Sequence, residues 1–433
     1  MIDSHHTKNS PLFMTTLLVT LAGGVLVVPS ADAQEVSLLA TGDIEWSVPQ
    51  HGPEPGMGTV LGYPPPPAYT LQSEVEEVLR VRGEAQSETW TVVPFLNRPE
   101  ARGEIKERLG REVLDSPGAH TRSSIIYPVA NEWSGFDSVE DQMRYPLRGV
   151  REIVRGADVA FTNLEMPLSD RARHTGAFMG RTAFADALRW AGFDVVSIAN
   201  NHAFDAMETG LLDTMTSLRR AGVGFVGGGE NLEEARKPHI VEVDGISIGF
   251  LAYTWSVNLV GAWGFPGPDR SGVMPLDPIL IEEDIERVRA EVDYVALSFH
   301  WAVENSMDTH PEARNFAHRM IDAGADLILG HHPHVPRGVE VYDGGVIFYS
   351  LGNLIFGHNH TYWGDNYLAR VTLTPERITG VEVIPVAGEG NDMSQPYPTE
   401  GARAQMLLRK VQELTAALDT NMEIVGDVGV IRP

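Results

Sequence analysis

Short apolar runs and helical repeats alternate along most of the chain. Residues 35–42 (EVSLLATG) form an apolar run that predicts a buried strand ending at Asp43. From residue 147 onward the rhythm is regular. Apolar runs at 158–164, 193–199, 292–299 and 325–330 alternate with helical patterns over 183–191, 206–221, 280–290 and 311–323. That alternation predicts a sheet with flanking helices, largely parallel in this part. Three hairpin signals break the rhythm: Asp244-Gly245, Asp343-Gly344-Gly345, and the pair of β-rich runs 366–374 and 379–386. An α/β unit supplemented by antiparallel hairpins predicts two sheets packed together with helices outside. The segment 391–433 holds one amphipathic helix (402–418) and a tail without chemical signal.

Between the first strand and the regular region the pattern fails. Residues 47–72 are rich in proline and glycine, with Pro64 to Pro67 consecutive, so they predict a surface loop or lid. One charged helical pattern (74–82) precedes aromatic and proline-containing segments, and 47–146 as a whole reads as an insertion or lid on the main domain. At the N-terminus, residues 11–28 are apolar and uncharged, preceded by Lys8 and followed by Ala31-Asp32-Ala33. This reads as an export signal spanning 1–33, cleaved after Ala33, with an uncleaved membrane anchor as the alternative. The expected address is periplasmic, extracellular or cell-surface.

Composition narrows the chemistry. The chain has 433 residues, 59 Asp and Glu against 33 Lys and Arg, and a formal net charge of −26. A field of that sign disfavours nucleic acid as a partner. Any anionic substrate then needs metal ions or local arginines to reverse the sign. Cysteine is absent, which excludes disulfides and thiolate metal sites and leaves imidazole, carboxylate and amide oxygen as ligands.

Such residues gather where strands are predicted to end: Asp43, Glu165, Asn200-Asn201-His202, His300 and His331-His332-Pro333-His334. Ligands of open α/β sheets bind beyond the carboxyl ends of strands, so five such segments can converge on one crevice. Two carboxylates, an amide oxygen and three or four imidazoles suit Zn, Mn, Fe or Co. They exceed what one ion takes, which points to a pair of divalent ions. Asp205, three residues after His202, can fix that imidazole's tautomer. Singly, each residue has a plainer reading: Asp43 as a turn former, Asn201-His202 as turn residues, His300 as a core histidine. The cluster His331, His332 and His334 has little structural use and favours metal. His358 and His360 in a later loop are expected at the surface.

At these segments the sequence resembles the CapA-type family of poly-γ-glutamate capsule synthesis, within the calcineurin-like metallophosphatase superfamily. The resemblance rests on TGDI (41–44), ADVAFTNLEMPLSD (157–170), AGFDVVSIANNHAFDAMETGLLDT (191–214), HWAVE (300–304) and GADLILGHHPHVPRGVEVYDGGVIFYSLGNLIF (324–356). It covers 35–46 and 147–385, and the domain is taken to run to 390. The family fold it implies is a metallophosphatase-like four-layer α/β/β/α sandwich with two mixed sheets and an elaborated insertion. By the same resemblance Asp43 is the first-strand carboxylate, Glu165 the bridging one and Asn201 the amide ligand. His202 is the proton donor or oxyanion stabiliser beside it, and His300, His332 and His334 supply imidazoles. Several positions depart from the pattern. Glu45 stands where histidine is usual and can itself be a ligand. Glu165 replaces aspartate, Ala302 a glycine and Ala313 a glutamine.

Two functions follow as expectations. One is an exported hydrolase with two ions of Mn, Zn or Fe, acting on a phosphoester or a γ-glutamyl amide. His202 and Asp205 would then be catalytic, and Arg181, Arg173, Arg337 and His331 would face an anionic polymer or phosphoester. The other is a non-catalytic accessory that binds the polymer during synthesis, export or anchoring at the cell envelope. A fainter third is proton exchange at a peptide Cα by the same residues. Oligomeric state is left open.

Overall fold

The computed structural model describes residues 16–21, 24–29, 34–46, 138–172, 178–356, 365–389 and 392–433. Most of the expected insertion (47–137), the cleavage site at Ala33, Arg173, His358 and His360 lie outside the described residues. Strands β1 (Thr16–Leu21) and β2 (Gly24–Pro29), from the expected signal, pair as a separate antiparallel hairpin. No helix among the described residues is long and apolar enough to cross a membrane.

A first parallel set comprises β3 (Val36–Glu45), β4 (Val159–Leu164), β5 (Val195–Ser197) and β6 (Gly224–Val226). After the two-residue β7 (Gly228–Gly229) comes the hairpin of β8 (His239–Val243) and β9 (Ile246–Thr254). The short β10 (Gly272–Val273) pairs back on β7. Then β11 (Tyr294–His300) and β12 (Leu327–His331) run parallel to β9, followed by the hairpin β13 (Val339–Tyr342) and β14 (Gly345–Phe348). Finally β15 (Asn353–Phe356), β16 (Asp365–Leu373), β17 (Ile378–Glu389), β18 (Asp392–Pro398), β19 (Glu423–Val425) and β20 (Val428–Ile431) extend the first set. The result is two mixed sheets. One is six-stranded, in the order β13-β14-β12-β11-β9-β8; the other, ten-stranded, runs β19-β20-β17-β18-β15-β3-β4-β5-β6, with β16 bonded to β3 and β17.

The helices are α1 (Val139–Arg144), α2 (Arg151–Arg155), α3 (Phe184–Ala191), α4 (Met207–Ala221), α5 (Leu232–Ala235), α6 (Pro278–Arg289), α7 (Pro311–Asp322) and α8 (Gly401–Ala416). Their ends follow local chemistry. The Asp277 carboxylate caps α6 by accepting from the amides of Ile279 and Leu280, with Pro278 at the first position. Helices α3 and α4 stop at Gly192 and Gly222, both left-handed, the conformation only glycine takes cheaply.

Period-two alternation divides the smaller sheet between two cores. Ile248, Phe250, Ala252, Leu327 and Leu329 pack with the larger sheet, while Leu251, Tyr253, Leu297, Phe299 and Ile328 pack with α6 and α7. The two sheets meet face to face at Phe161 and Phe250, whose rings stack with centroids 5.3 Å apart. Apolar residues of α3 and α4 join the core of the larger sheet, whose β4 is buried at every position. The layers are therefore helix, sheet, sheet, helix, the expected α/β/β/α sandwich.

The core is wider than the pattern predicted. Met143, placed in the insertion by the sequence, is fully buried in the main cluster. The segment 391–433 is no appendage either. Its strands β18 and β20 pair with β17, and Leu407, Leu408 and Val411 of α8 are core residues. β18 turns straight back on β17, whereas β20 reaches it across α8, a pairing that local periodicity does not signal.

Candidate metal centre

Both parallel sets end on the same side of the sandwich, and the polar cluster straddles the two sheets. The larger sheet supplies Asp43 within β3, Glu165 one residue beyond β4, and Asn200 to His202 just after β5; the smaller supplies His300 and His331 as the last residues of β11 and β12. Their side chains meet. The Asp43 carboxylate has one oxygen 3.0 Å from Nδ1 of His331 and the other 3.6 Å from Nδ1 of His334. Oε1 of Glu165 lies 3.5 Å from Nε2 of His300 and 3.7 Å from Nε2 of His334. The same His300 nitrogen is 2.8 Å from Oδ1 of Asn201.

Two groups of ligand atoms each fall within 4.8 Å of one another: Asp43, Glu165 and His300 in the first, Glu165, His332 and His334 in the second. Glu165 belongs to both. Two ligands each ~2.1 Å from one ion and set tetrahedrally lie roughly 3.4 Å apart, close to the spacings here. The histidine loop is bent to achieve this. His332 and His334 take left-handed backbone (φ 91° and 58°), which costs non-glycine residues about 1–3 kcal/mol each and persists where surroundings enforce it. One enforcing contact is the amide of His332, which donates to Oδ2 of Asp43 at 3.0 Å.

Whether the residues suit a cation is decided by Glu165. Its side chain is fully buried and neither carboxylate oxygen has a hydrogen-bond donor among the described residues. Nδ1 of His332 is also buried and unmatched. A buried carboxylate without donors is costly unless a positive charge compensates it. Burial pushes the Glu165 carboxyl well above its ordinary range, and the neighbouring Asp43, Glu304 and Glu45 push it further. Burial also drives His300 well down, with the surrounding imidazoles adding to it, and brings His332 to about 4. Asp43 stays below its usual value despite burial, because His331 and His334 outweigh the desolvation. Neutral imidazoles around carboxylates are the ligand state of a metal site. The donor set fits divalent ions.

His202 is set beside these groups. Its Nδ1 is 2.7 Å from Oδ2 of Asp205, which also accepts from the amide of Phe178, and the Phe178 ring covers the imidazole at 4.0 Å. The arrangement leaves Nε2 as the working atom.

Some expected residues lie elsewhere. His331, expected to face substrate, is wholly buried between Asp43 and the Phe161 ring, because it ends a central strand. Arg337, also expected at substrate, is buried and donates to the carbonyls of Ser306 and Val303. Arg181 pairs with Asp170. Glu45 is buried two residues beyond Asp43, on the same strand face, but outside both ligand groups.

Asn163 and Asn353 were not singled out by sequence reasoning, and Asn200 was named there without a role of its own. Asn163 donates to Asp43 at 2.9 Å, and Asn353 has Oδ1 2.9 Å from Nδ1 of His334. Asn200 bridges Asn163 and the carbonyl of Leu164. Asn163 was findable: it precedes Glu165 by two on one strand and so shares its face.

A two-sheet α/β/β/α sandwich with a buried His/Asp/Glu/Asn cluster at its strand ends defines the class, a protein built around a candidate metal centre. The profile described as "Bacterial capsule synthesis protein PGA_cap" matches residues 117–358, more than half of the chain, and the chain belongs to that family. It is similar to the "PGA biosynthesis protein CapA" of Bacillus subtilis (strain 168), at 33% identity over 55% of this chain and 63% of the relative. The "Capsule biosynthesis protein CapA" of Bacillus anthracis is 29% identical over 56% and 61%. A Mycobacterium tuberculosis protein named "Probable polyglutamine synthesis accessory protein" is 34% identical over 37% and 44%. The chain thus spans less than two thirds of the length of these curated relatives.

Proposed function

We propose that this protein acts on a capsular poly-γ-glutamate polymer at the cell envelope, as a metal-dependent hydrolase of a γ-glutamyl amide or phosphoester. Glu165 carries the reading: a fully buried carboxylate without hydrogen-bond donors among the described residues, shared by two ligand groups. Asp43, Glu165, His300 and Asn201 would hold one divalent ion, and Glu165, His332 and His334 a second. Such ions, Mn, Zn or Fe, supply Lewis acidity and render water reactive near neutral pH. The chain's own residues supply the rest. His202, oriented by Asp205, delivers a proton to the leaving group. Asn163 and Asn353 hold Asp43 and His334 in place. The names of the Bacillus relatives support the polymer, and the expected signal supports export.

Elemental analysis of the purified protein, then assays on bis(p-nitrophenyl) phosphate and poly-γ-glutamate with the metal found, tests this. Bound metal and turnover that disappears in His334→Ala are expected. Absence of metal, or no turnover with Mn, Zn or Fe, defeats it. The name of the mycobacterial relative favours a second reading, an accessory that binds polymer without cleaving it. On that reading Ala at His332 and His334 abolishes polymer binding while turnover is never seen.

A further inference from the structure

The turn between β11 and α7 presents a carboxylate that neither ligand group uses. The side chain of Glu304 is 49% exposed, and its Oε1 lies 4.0 Å from Nε2 of His332. Its placement is enforced from several directions. Ala302 and Asn305, two before and one after, both take left-handed backbone, φ 74° and 58°. Non-glycine residues hold that conformation where the surroundings impose it. The amide of Asn305 donates to the carbonyl of Pro333, inside the histidine loop, at 2.8 Å. Arg337 is buried beneath, with Nε donating to Ser306 at 2.8 Å and Nη2 to Val303 at 3.2 Å, so both flanks of Glu304 are clamped. A buried guanidinium and two strained residues thus fix an exposed carboxylate beside His332. The Trp255 ring packs on the same imidazole, centroids 5.5 Å apart.

An exposed carboxylate held in place matches a cation, most simply an ammonium group. Of the arginines expected to attract an anionic substrate, Arg337 is engaged in the turn and Arg181 with Asp170, and Arg173 lies outside the described residues. The lysines among the described residues are also distant, Lys237 lining a cavity at the β6–β8 edge and Lys410 beside Glu413.

We propose that Glu304 binds a protonated amine of the substrate, and that the site therefore takes the amino-terminal end of a γ-glutamyl chain. In such a chain the free α-ammonium sits a few bonds from the first γ-amide carbonyl. Holding it at Glu304 brings that carbonyl to the cluster. Hydrolysis adds water: its oxygen bonds to the γ-carbonyl carbon, and the C–N bond breaks. The departing nitrogen keeps the electron pair and takes a proton from His202, which is restored by the proton that the attacking water gives up. The inference rests on the hydrolase reading and deepens it.

The test uses the full chain loaded with the metal it retains. γ-Glutamyl-p-nitroanilide and its Nα-acetyl counterpart are compared on wild type and Glu304→Gln. Wild type is expected to favour the free amine by about tenfold in KM, the worth of one charge-assisted contact. Glu304→Gln is expected to lose that preference while keeping the metal content of wild type. No preference in wild type, or a preference that survives Glu304→Gln, overturns the proposal. Metal loss in the variant overturns it too, by making Glu304 a ligand. Activity on bis(p-nitrophenyl) phosphate reports the hydrolase reading separately. Where the anilides are not cleaved, the affinities of γ-glutamyl-glutamate, free and acetylated, are read by tryptophan fluorescence. Tighter binding of the free form by wild type alone supports the proposal, and equal affinities overturn it.

Discussion

Glu165→Gln should change stability in opposite directions with and without metal. The wild-type carboxylate is wholly buried, and its two oxygens lack donors among the described residues. Leaving one buried polar group unsatisfied costs about 1–3 kcal/mol, and more when it is charged. Removing the ionisable group with a near-isosteric amide relieves much of that in the metal-free protein. Each kcal/mol moves Tm by only about 1–2 °C in a chain of 433 residues, so under EDTA the variant should melt at least about 1 °C above wild type. With metal the order reverses. An ion present at roughly a thousand times its Kd contributes about 4 kcal/mol, or about 4–8 °C in Tm. A shared anionic ligand replaced by an amide forfeits most of that gain. Differential scanning fluorimetry of both proteins, in EDTA and in Mn, reads all four values. A variant less stable than wild type in EDTA, or one gaining as much from Mn, would refute the reasoning.

Three further outcomes follow from contacts around the centre. Asn353→Ala removes the oxygen beside Nδ1 of His334; calorimetric titration should find metal affinity about 10–100-fold weaker, and unchanged affinity would separate this residue from the centre. Asp205→Asn leaves His202 without its anionic partner at 2.7 Å; kcat should fall roughly 10²–10⁴-fold with little change in KM, whereas a change confined to KM would contradict the proton-donor role. In Gly42→Ala the new Cβ would lie 2.2 Å from the carbonyl oxygen of Gly352, which accepts from the amide of Asp43. Urea unfolding should show a loss of about 1–3 kcal/mol, together with weaker metal binding, and a neutral result would mean that β3 and β15 part easily.

Much of this protein was legible residue by residue. The helix expected over 183–191 is Phe184–Ala191, and that over 311–323 is Pro311–Asp322. Apolar period, caps and glycine stops are local properties that the chain carries wherever it folds. The strand ends bearing Glu165, His300 and His331 were legible for the same reason, since a polar residue after an apolar run marks the end of a buried strand, whereas β3 runs two residues past Asp43 to Glu45. Resemblance in the ANNH, GHHPH and YSLGN blocks then named the family.

Tertiary structure decided what those residues do. Sequence spacing cannot say that His331 turns inward under Asp43 while His332 and His334 converge on Glu165. That depends on left-handed backbone imposed by contacts between two sheets. Nor could it say that Arg337 spends its charge on carbonyls of a neighbouring turn, or that β18 and β20 complete the larger sheet. Periodicity reports which side of an element is buried; what it is buried against is set by chain segments hundreds of residues away, and only the packed fold brings those together.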